Sequence, residues 1–245
     1  MVGVYERVYE TAPVFRAEPH DTSRHLAEYY SLDAELGFIT DHRDVIELLA
    51  EVLRGMFAPL ADRASGALAE LEVRLPEFPN QIPMIDFEDA QRLLAPEDRR
   101  PNEGWTDLDP EQERRLGEWA VREFGSELLF VVGYPMAKRP FYTHPDPERP
   151  GRSNSFDLLF RGPELVTGGQ RLHRYQDYLN VLAGQDLQPF RGYLQAFRYG
   201  MRPTAASPSG WHGSWPSWRA WAMSVRRPFS RATSTAWSRS PGRPG

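Results

Sequence analysis

The sequence predicts an α+β fold, in which an antiparallel sheet has helices packed against it. Residues 4–18 and 25–39 alternate apolar and polar in part, as two strands joined by a highly charged loop do. Beyond residue 41, apolar residues recur at helical spacing. The apolar run 128–132 has the length and composition of a buried strand.

Each further element follows from local signals. The first predicted helix takes Asp41 as its N-cap. Its predicted apolar face comprises Val45, Leu49, Val52 and Met56, with Ile46 and Leu53 alongside. A later helix takes Asp109 as its cap and Pro110 as its first residue and stops at Gly125, because proline suits a first helical turn and glycine suits an end. The remaining predicted elements are helices at 86–94, 173–183 and 189–199 and strands at 154–160 and 164–167.

The composition excludes several classes of protein. The chain has 245 residues, 40% hydrophobic and 26% charged, which is typical of a folded globular protein. Without cysteine it can form neither a disulfide nor a thiolate metal site, and this fits a cytoplasmic protein. The N-terminus has no signal-peptide pattern, and no apolar run approaches the roughly 18 residues of a membrane span. The histidines show no zinc-binding spacing.

The charge is unevenly distributed. Residues 203–245 hold six arginines and no acidic residue, so removing that +6 from the net −5 leaves about −11 on residues 1–202. An acidic body argues against a general electrostatic attraction to nucleic acid. The last 43 residues also hold five of the seven tryptophans and no helix or strand pattern, so we expect an aberrant, disordered tail.

The segment Phe15–Glu35 is a first candidate site. Arg16 and Glu18 lie two residues apart, on the same side of a strand. Arg24 and His25 lie at the far end of the loop. Such cations suit a polyanionic ligand, because arginine offers two hydrogen bonds to a phosphate. The alternative is a charged hairpin that is simply solvated.

The segment Ser155–Arg174 is a second candidate. Asp157 and Glu164 fall on adjacent predicted strands, and such acidic pairs can hold Mg²⁺ beside a nucleotide. The pair Gly168-Gly169 allows a ligand to approach the backbone, and Arg171 offers a cation to a carboxylate. The alternative is a Gly-Gly turn between surface strands with ordinary charges.

Together the two segments resemble class II aminoacyl-tRNA synthetases. The pattern Phe-Arg-x-Glu, a loop, Arg-His-Leu and Asp-x-Glu resembles motif 2 of the Asp/Asn/Lys group. The run Glu-x-x-Thr-Gly-Gly-Gln-Arg-x-His-Arg resembles the segment that binds aspartate and metal in aspartyl-tRNA synthetases, closest to the archaeal type. Lys138-Arg139-Pro140-Phe141-Tyr142 resembles that family's Lys-x-Pro-Phe-Tyr stretch.

The resemblance implies an incomplete class II catalytic domain over residues 1–202, with motif 2 at 15–35 and the substrate and metal segment at 155–174. It implies that the catalytic Arg16 contacts the ATP α-phosphate and the attacking carboxylate of aspartate. Glu18 then binds on the adenine side. Arg24, His25 and Leu26 line the ATP-binding loop, with Arg24 near the γ-phosphate.

The resemblance also assigns the second segment. Asp157 and Glu164 are implied ligands of Mg²⁺, and Glu164 thereby contributes to ATP binding. Thr167, where the family more often has serine, touches metal or substrate. Arg171 holds the side-chain carboxylate of aspartate, and Tyr142 lines the amino-acid pocket.

The implied activity is the ATP-dependent conversion of L-aspartate to aspartyl-adenylate and its transfer to tRNA. A carboxylate attacks phosphorus in line, which requires positioning and charge neutralisation rather than a protein nucleophile. The implied cofactors are ATP and Mg²⁺, and the implied partners are the aspartate tRNA and a second copy of the chain. Some family members also charge the asparagine tRNA, and the sequence leaves that choice open.

The sequence also departs from the family. Motif 1, the anticodon-binding barrel and the upstream aspartate loop are missing, and Met1-Val2-Gly3 resembles an internal point of a longer protein. After Met201 the family continues Pro-Pro-His-Gly-Gly-Phe, but this chain does not. Codons read one base back from Thr204 are compatible with that motif 3 sequence, which predicts a frameshift near Pro203. We therefore expect this chain to be catalytically inert.

Two alternatives remain open at this point. One is an asparagine synthetase of synthetase descent, with the same adenylation and no anticodon domain. The other is a non-catalytic remnant or pseudogene product, which the broken motif 3 favours.

Overall fold

The structure is a computed structural model that describes residues 5–15, 17, 27–95 and 107–207. Its strands are β1 Arg7–Phe15, β2 Glu28–Gly37, β3 Met84–Asp86, β4 Leu128–Val132, β5 Ser155–Phe160, β6 Glu164–Arg171 and β7 Thr204–Ser207. Its helices are α1 Arg43–Arg63, α2 Ser65–Glu70, α3 Phe87–Leu94, α4 Pro110–Phe124, α5 Tyr175–Val181 and α6 Arg191–Arg198. The strands form one sheet in the order β1-β2-β7-β6-β5-β4-β3, and only the β3–β4 pair is parallel. The α+β class with an antiparallel sheet is therefore confirmed.

The predicted first hairpin is present. Strands β1 and β2 pair antiparallel from Arg7 opposite Leu36 to Phe15 opposite Glu28. Its attachment to the rest of the sheet runs through β7, because β2 pairs with β7 and β7 pairs with β6.

Helix α1 begins one residue later than predicted. His42 occupies the N-cap, whereas Asp41 accepts a hydrogen bond from the Arg43 amide at 2.6 Å and so acts from outside the helix. The predicted apolar face is also partly wrong, because Val52 and Met56 are 37% and 45% exposed. One residue turns a helix by about 100°, so on a face centred on Leu53 both Val52 and Met56 lie toward the same rim.

Helix α4 has the predicted ends. The Asp109 carboxylate accepts hydrogen bonds from the amides of Glu111 and Gln112, and the Gln112 side chain accepts one from the Asp109 amide. This reciprocal pair satisfies amide groups that a first helical turn leaves free. Gly125 ends the helix with a φ of 63°, a conformation that glycine adopts without steric cost.

The sheet separates two apolar layers. Side chains of Phe130, Phe156 and Leu158 pack against α1 on one face. Those of Leu129, Val131 and Leu159 pack against α3 and α4 on the other. A third cluster holds α5 and α6 beside the segment that contains Phe141 and Tyr142. Alternation along β4 and β5 produces both layers, since successive strand residues point to opposite faces.

Two strands differ from the prediction. Strand β6 continues to Arg171 instead of ending at residue 167, so the glycine pair lies inside a strand and not in a turn. Residues 204–207 form β7, which corrects the expectation that no strand exists beyond residue 202. Their own sequence carries no strand pattern, but β2 and β6 offer backbone partners on both sides. The rest of the predicted tail, 208–245, lies outside the described residues.

Smaller differences concern short elements. Strand β3 and helix α2 were not predicted, and α5 and α6 are shorter than expected at both ends. None of the helices in the described ranges has the length and apolarity that crossing a membrane requires.

Candidate active site

Polar side chains line the face of β5 and β6 that lies away from α1. On β5, Phe156 and Leu158 enter the layer beneath α1, so Asp157 between them points to the opposite face. Asp157 pairs with Thr167 on β6, which places both side chains together. Two of the predicted metal-site residues are therefore adjacent, and their role in binding metal stays a prediction.

Asp157 is a buried carboxylate with several partners. The Thr167 hydroxyl donates to Oδ1 at 2.5 Å, and Nη2 of Arg139 lies 3.2 Å from Oδ2. The Tyr134 hydroxyl is also hydrogen-bonded to this carboxylate. The side chains of Arg139 and Asp157 are only 14% and 4% exposed, so their charges neutralise each other away from water.

The cluster changes the acidity of its members. Burial raises the pKa of Tyr134 well above its ordinary value, and the neighbouring Asp157 adds to the effect. Burial alone lowers the pKa of Arg139, but Asp157, Tyr134 and Asp107 outweigh it and the pKa lies above its usual value. Burial also raises the pKa of Asp107, and Arg139 partly opposes that rise. Tyr134 and Arg139 therefore keep their protons at neutral pH.

Glu164 lies at the start of β6, diagonal to Asp157 across the strand pair. Its backbone amide donates to Oε2 of Glu113, a buried residue of α4, at 3.1 Å. Its charge also helps to raise the pKa of Tyr134, after burial and Asp157. In the described ranges, no three His, Cys, Asp or Glu side chains group as a metal site. Two carboxylates and a hydroxyl still suit Mg²⁺, which commonly binds one or two carboxylates together with substrate phosphates.

The glycine pair has a structural role as well as a lining role. A Cβ atom at Gly168 would lie 2.4 Å from Cζ of Phe156, and one at Gly169 would lie 3.0 Å from the Asn154 carbonyl oxygen. Packing therefore requires glycine at residue 168, whatever binds above it. Both glycines also line a cavity beside Thr167.

Arg171 stands between two cavities at the end of β6. Its Nη2 lies 3.2 Å from Oε1 of Glu35 on β2, and its Cζ lies 5.3 Å from the centre of the Tyr142 ring. The pair spans β7, because Arg171 is opposite Thr204 on one edge of that strand. Arg171 is a fixed cation whose guanidinium is held by a carboxylate and a ring.

The two cavities differ in their linings. One, of about 210 Å³, is bordered by Arg139, Tyr142, Thr167, Gly169 and Arg171. The other, of about 230 Å³, lies between α6 and the sheet and includes Glu35 and Arg171. Four predicted site residues thus converge on one region: Tyr142, Thr167 and Arg171 at the first cavity, with Asp157 behind Thr167.

Five predicted residues lie outside the described ranges, namely Arg16, Glu18, Arg24, His25 and Leu26. Their roles stay predictions. Strand β1 ends at Phe15, directly before Arg16.

Three contributors received no role from the sequence. Arg139, Tyr134 and Glu35 each contact a predicted site residue. Arg139 stands in the stretch that resembles Lys-x-Pro-Phe-Tyr, and Glu35 ends the Asp-x-Glu pattern, so both carried a signal. Tyr134 carried no such signal, because its contact with Asp157 depends on the path of the chain after β4.

Comparison with known proteins identifies the family. A family model described as tRNA synthetases class II (D, K and N) matches residues 1–211. An aspartate–tRNA(Asp/Asn) ligase of Thermus thermophilus is 48% identical over 205 residues, which is 83% of this chain and 48% of that protein. The chain spans about half the length of the curated relatives it matches.

Solved structures agree with the sequence match. Asparaginyl-tRNA synthetase of Pyrococcus horikoshii, complexed with asparaginyl-adenylate, superposes with a TM-score of 0.76 and 28% identity, covering 91% of this chain and 51% of that chain. Aspartyl tRNA synthetase of Entamoeba histolytica gives a TM-score of 0.75 at 28% identity, over 84% of this chain and 43% of that chain. The chain belongs to the class II tRNA synthetases of the D, K and N group.

Proposed function

We propose that this chain is part of a cytoplasmic enzyme that activates L-aspartate with ATP and transfers the aspartyl group to tRNA. The observation that carries the proposal is Arg171, a half-buried cation at the junction of two cavities. Relatives named aspartate–tRNA ligases support it.

Arg171 supplies selectivity for a carboxylate over an amide. A guanidinium has five N–H donors, so the contact with Glu35 leaves donors for a substrate. An aspartate side chain forms charge-assisted hydrogen bonds with them, and asparagine offers only a neutral oxygen. Tyr142, on the same cavity, closes one side of the amino-acid pocket.

Adenylation itself depends on groups near the hairpin. We assign Arg16 to the α-phosphate and the attacking carboxylate, Glu18 to the adenine side, and Arg24, His25 and Leu26 to the rest of the nucleotide. Holding two reactants in line can supply roughly 7–11 kcal/mol of a barrier, so positioning explains much of the rate.

Asp157, Glu164 and Thr167 hold Mg²⁺ in this proposal. The ion neutralises charge on the phosphates when it is bound. These residues fit it because Thr167 orients Asp157, and because two carboxylates leave coordination positions for phosphate oxygens.

The tRNA is that of aspartate, and the relatives' names extend the proposal to the asparagine tRNA. Following the family resemblance, the working form is a homodimer. For the chain itself we keep the prediction that exchange activity is lost, because residues 203–213 depart from motif 3.

The test is calorimetric titration of the purified chain with non-hydrolysable aspartyl-adenylate and asparaginyl-adenylate analogues. We expect the aspartyl analogue to bind more tightly. Equal binding, preference for the asparaginyl analogue, or binding of neither contradicts the proposal. In a frame-restored, N-terminally extended version, aspartate-dependent ATP–pyrophosphate exchange followed by aspartyl-tRNA formation separates a ligase from an asparagine-forming enzyme.

A further inference from the structure

Arg139 is a buried cation to which the proposed reaction gives no role. Its guanidinium contacts Oδ2 of Asp157 at 3.2 Å, and its Cζ lies 3.9 Å from the centre of the Tyr134 ring. The Arg139 side chain is 14% exposed, so water does little to screen it. It is therefore held directly against Asp157, one of the proposed metal ligands.

The carboxylate is already neutralised. Arg139 occupies one oxygen of Asp157, the Thr167 hydroxyl occupies the other, and Tyr134 adds a third hydrogen bond. A free divalent cation that approaches Asp157 meets a fixed positive charge within a few ångströms. At such separations and in partly buried surroundings, the repulsion between like charges is enough to weaken binding of the ion strongly.

A metal complexed by ATP meets the opposite situation. Its net charge is negative, so the same guanidinium attracts it. Arg139 lines the cavity that also contains Thr167 and the glycine pair, so its charge acts directly on the proposed adenylation site.

We propose that the positive charge of Arg139 prevents free divalent metal ions from binding at Asp157, so that the metal binds there only together with the nucleotide. This rests on the proposed use of Asp157 at a nucleotide site. Arg139 is a positioning residue: it holds Asp157 in place when the site is empty, and it decides which form of the metal the site accepts.

The experiment measures Mn²⁺ binding to the full 245-residue chain without nucleotide, by the electron paramagnetic resonance signal of free Mn²⁺. We expect Arg139→Gln to bind Mn²⁺ about ten-fold or more tightly than the wild type, since a like charge at this range shifts an equilibrium by at least that factor. Adding Asp157→Asn to that variant should remove the gain.

Arg161→Gln is the matched control. Arg161 is 12% exposed and pairs with the 15% exposed Glu127, so it loses a comparable ion pair away from the site. Its Mn²⁺ affinity should equal that of the wild type.

Thermal melting covers the case in which Arg139→Gln folds poorly. Mn²⁺ should then raise the melting temperature of the variant but not of the wild type, because binding to the folded state alone stabilises it. Unchanged or weaker Mn²⁺ affinity in a folded variant overturns the inference, as does a poorly folded variant that Mn²⁺ fails to stabilise. Neither measurement uses aspartate or catalysis. Failure of the proposed function would be detected by the adenylate-analogue titration, and failure of this inference by the Mn²⁺ affinities.

Discussion

Replacing Gly168 by alanine tests whether packing alone requires glycine there. The added methyl group would lie 2.4 Å from Cζ and 2.8 Å from Cε1 of Phe156. That ring is fully buried and packs edge-on against Phe130 at 5.7 Å, so it has little room to move. Overpacking of a well-packed core costs about 1–3 kcal/mol, and we expect a loss of unfolding free energy in that range.

The assay is urea denaturation of the purified chain, followed by circular dichroism. Gly55→Ala is the control, because nothing lies within 4 Å of its added Cβ atom in the middle of α1. It should gain about 0.5–1 kcal/mol, as alanine does over glycine in a helix. Phe156→Leu should recover part of the loss in the Gly168→Ala background. A Gly168→Ala midpoint equal to that of the wild type would refute the packing argument.

Four further predictions concern the N-cap Asp109 of α4, the buried His42, the cation Arg171 in the proposed aspartate pocket, and the reading frame of the gene. Asp109→Ala should cost about 1 kcal/mol of unfolding free energy, since two amides lose their acceptor. Burial lowers the pKa of His42, so the unfolded chain takes up a proton that the folded chain refuses, and stability should fall as pH drops below about 6.5. In the extended, frame-restored protein, Arg171→Leu should lose most aspartate activation, a cost of roughly 3–5 kcal/mol. The gene read one base back after about codon 203 should encode Gly-Gly-Phe, with Arg six residues after the Phe.

Each of these has its own check. Denaturation of Asp109→Asn, which keeps an acceptor, should show a smaller loss than alanine does. His42→Gln should flatten the pH dependence of stability between about pH 5 and 7, and an unchanged slope contradicts the assignment. If Arg171→Leu keeps the full rate of aspartate-dependent ATP–pyrophosphate exchange, the assignment of Arg171 to the aspartate pocket is wrong. The frameshift prediction is wrong if sequencing finds neither the glycine pair nor the arginine in the shifted reading frame.

Elements with local signals were predicted well. Helix α4 carries its own start and stop, because Asp109, Pro110 and Gly125 act within one turn of each end. Strand β7 has no such signal: Thr204–Ser207 becomes a strand only because β2 and β6 leave a gap between them. Val52 and Met56 were assigned to the wrong side of α1, because an apolar pattern cannot say which residue is centred on the sheet.

The candidate site divides in the same way. Asp157 and Thr167 were brought together by strand pairing, which the sequence pattern could anticipate. The partners of charged groups were not predicted. Arg139 reaches Asp157 across 18 residues and Arg171 reaches Glu35 across 136, and these contacts depend on the completed sheet. The roles of the five residues from Arg16 to Leu26 remain predictions.

The position of β7 has a consequence for the order in which the protein can be assembled. The β1–β2 hairpin is synthesised before the other described strands, yet among these strands only β7 links it to the rest of the sheet. During translation the hairpin must therefore wait until Ser207 has left the ribosome before it can join its neighbours. Pairing between strands so distant in sequence is slow, because a long loop has to close first. The Arg171–Glu35 contact, which lies across β7, should be among the last native interactions to form.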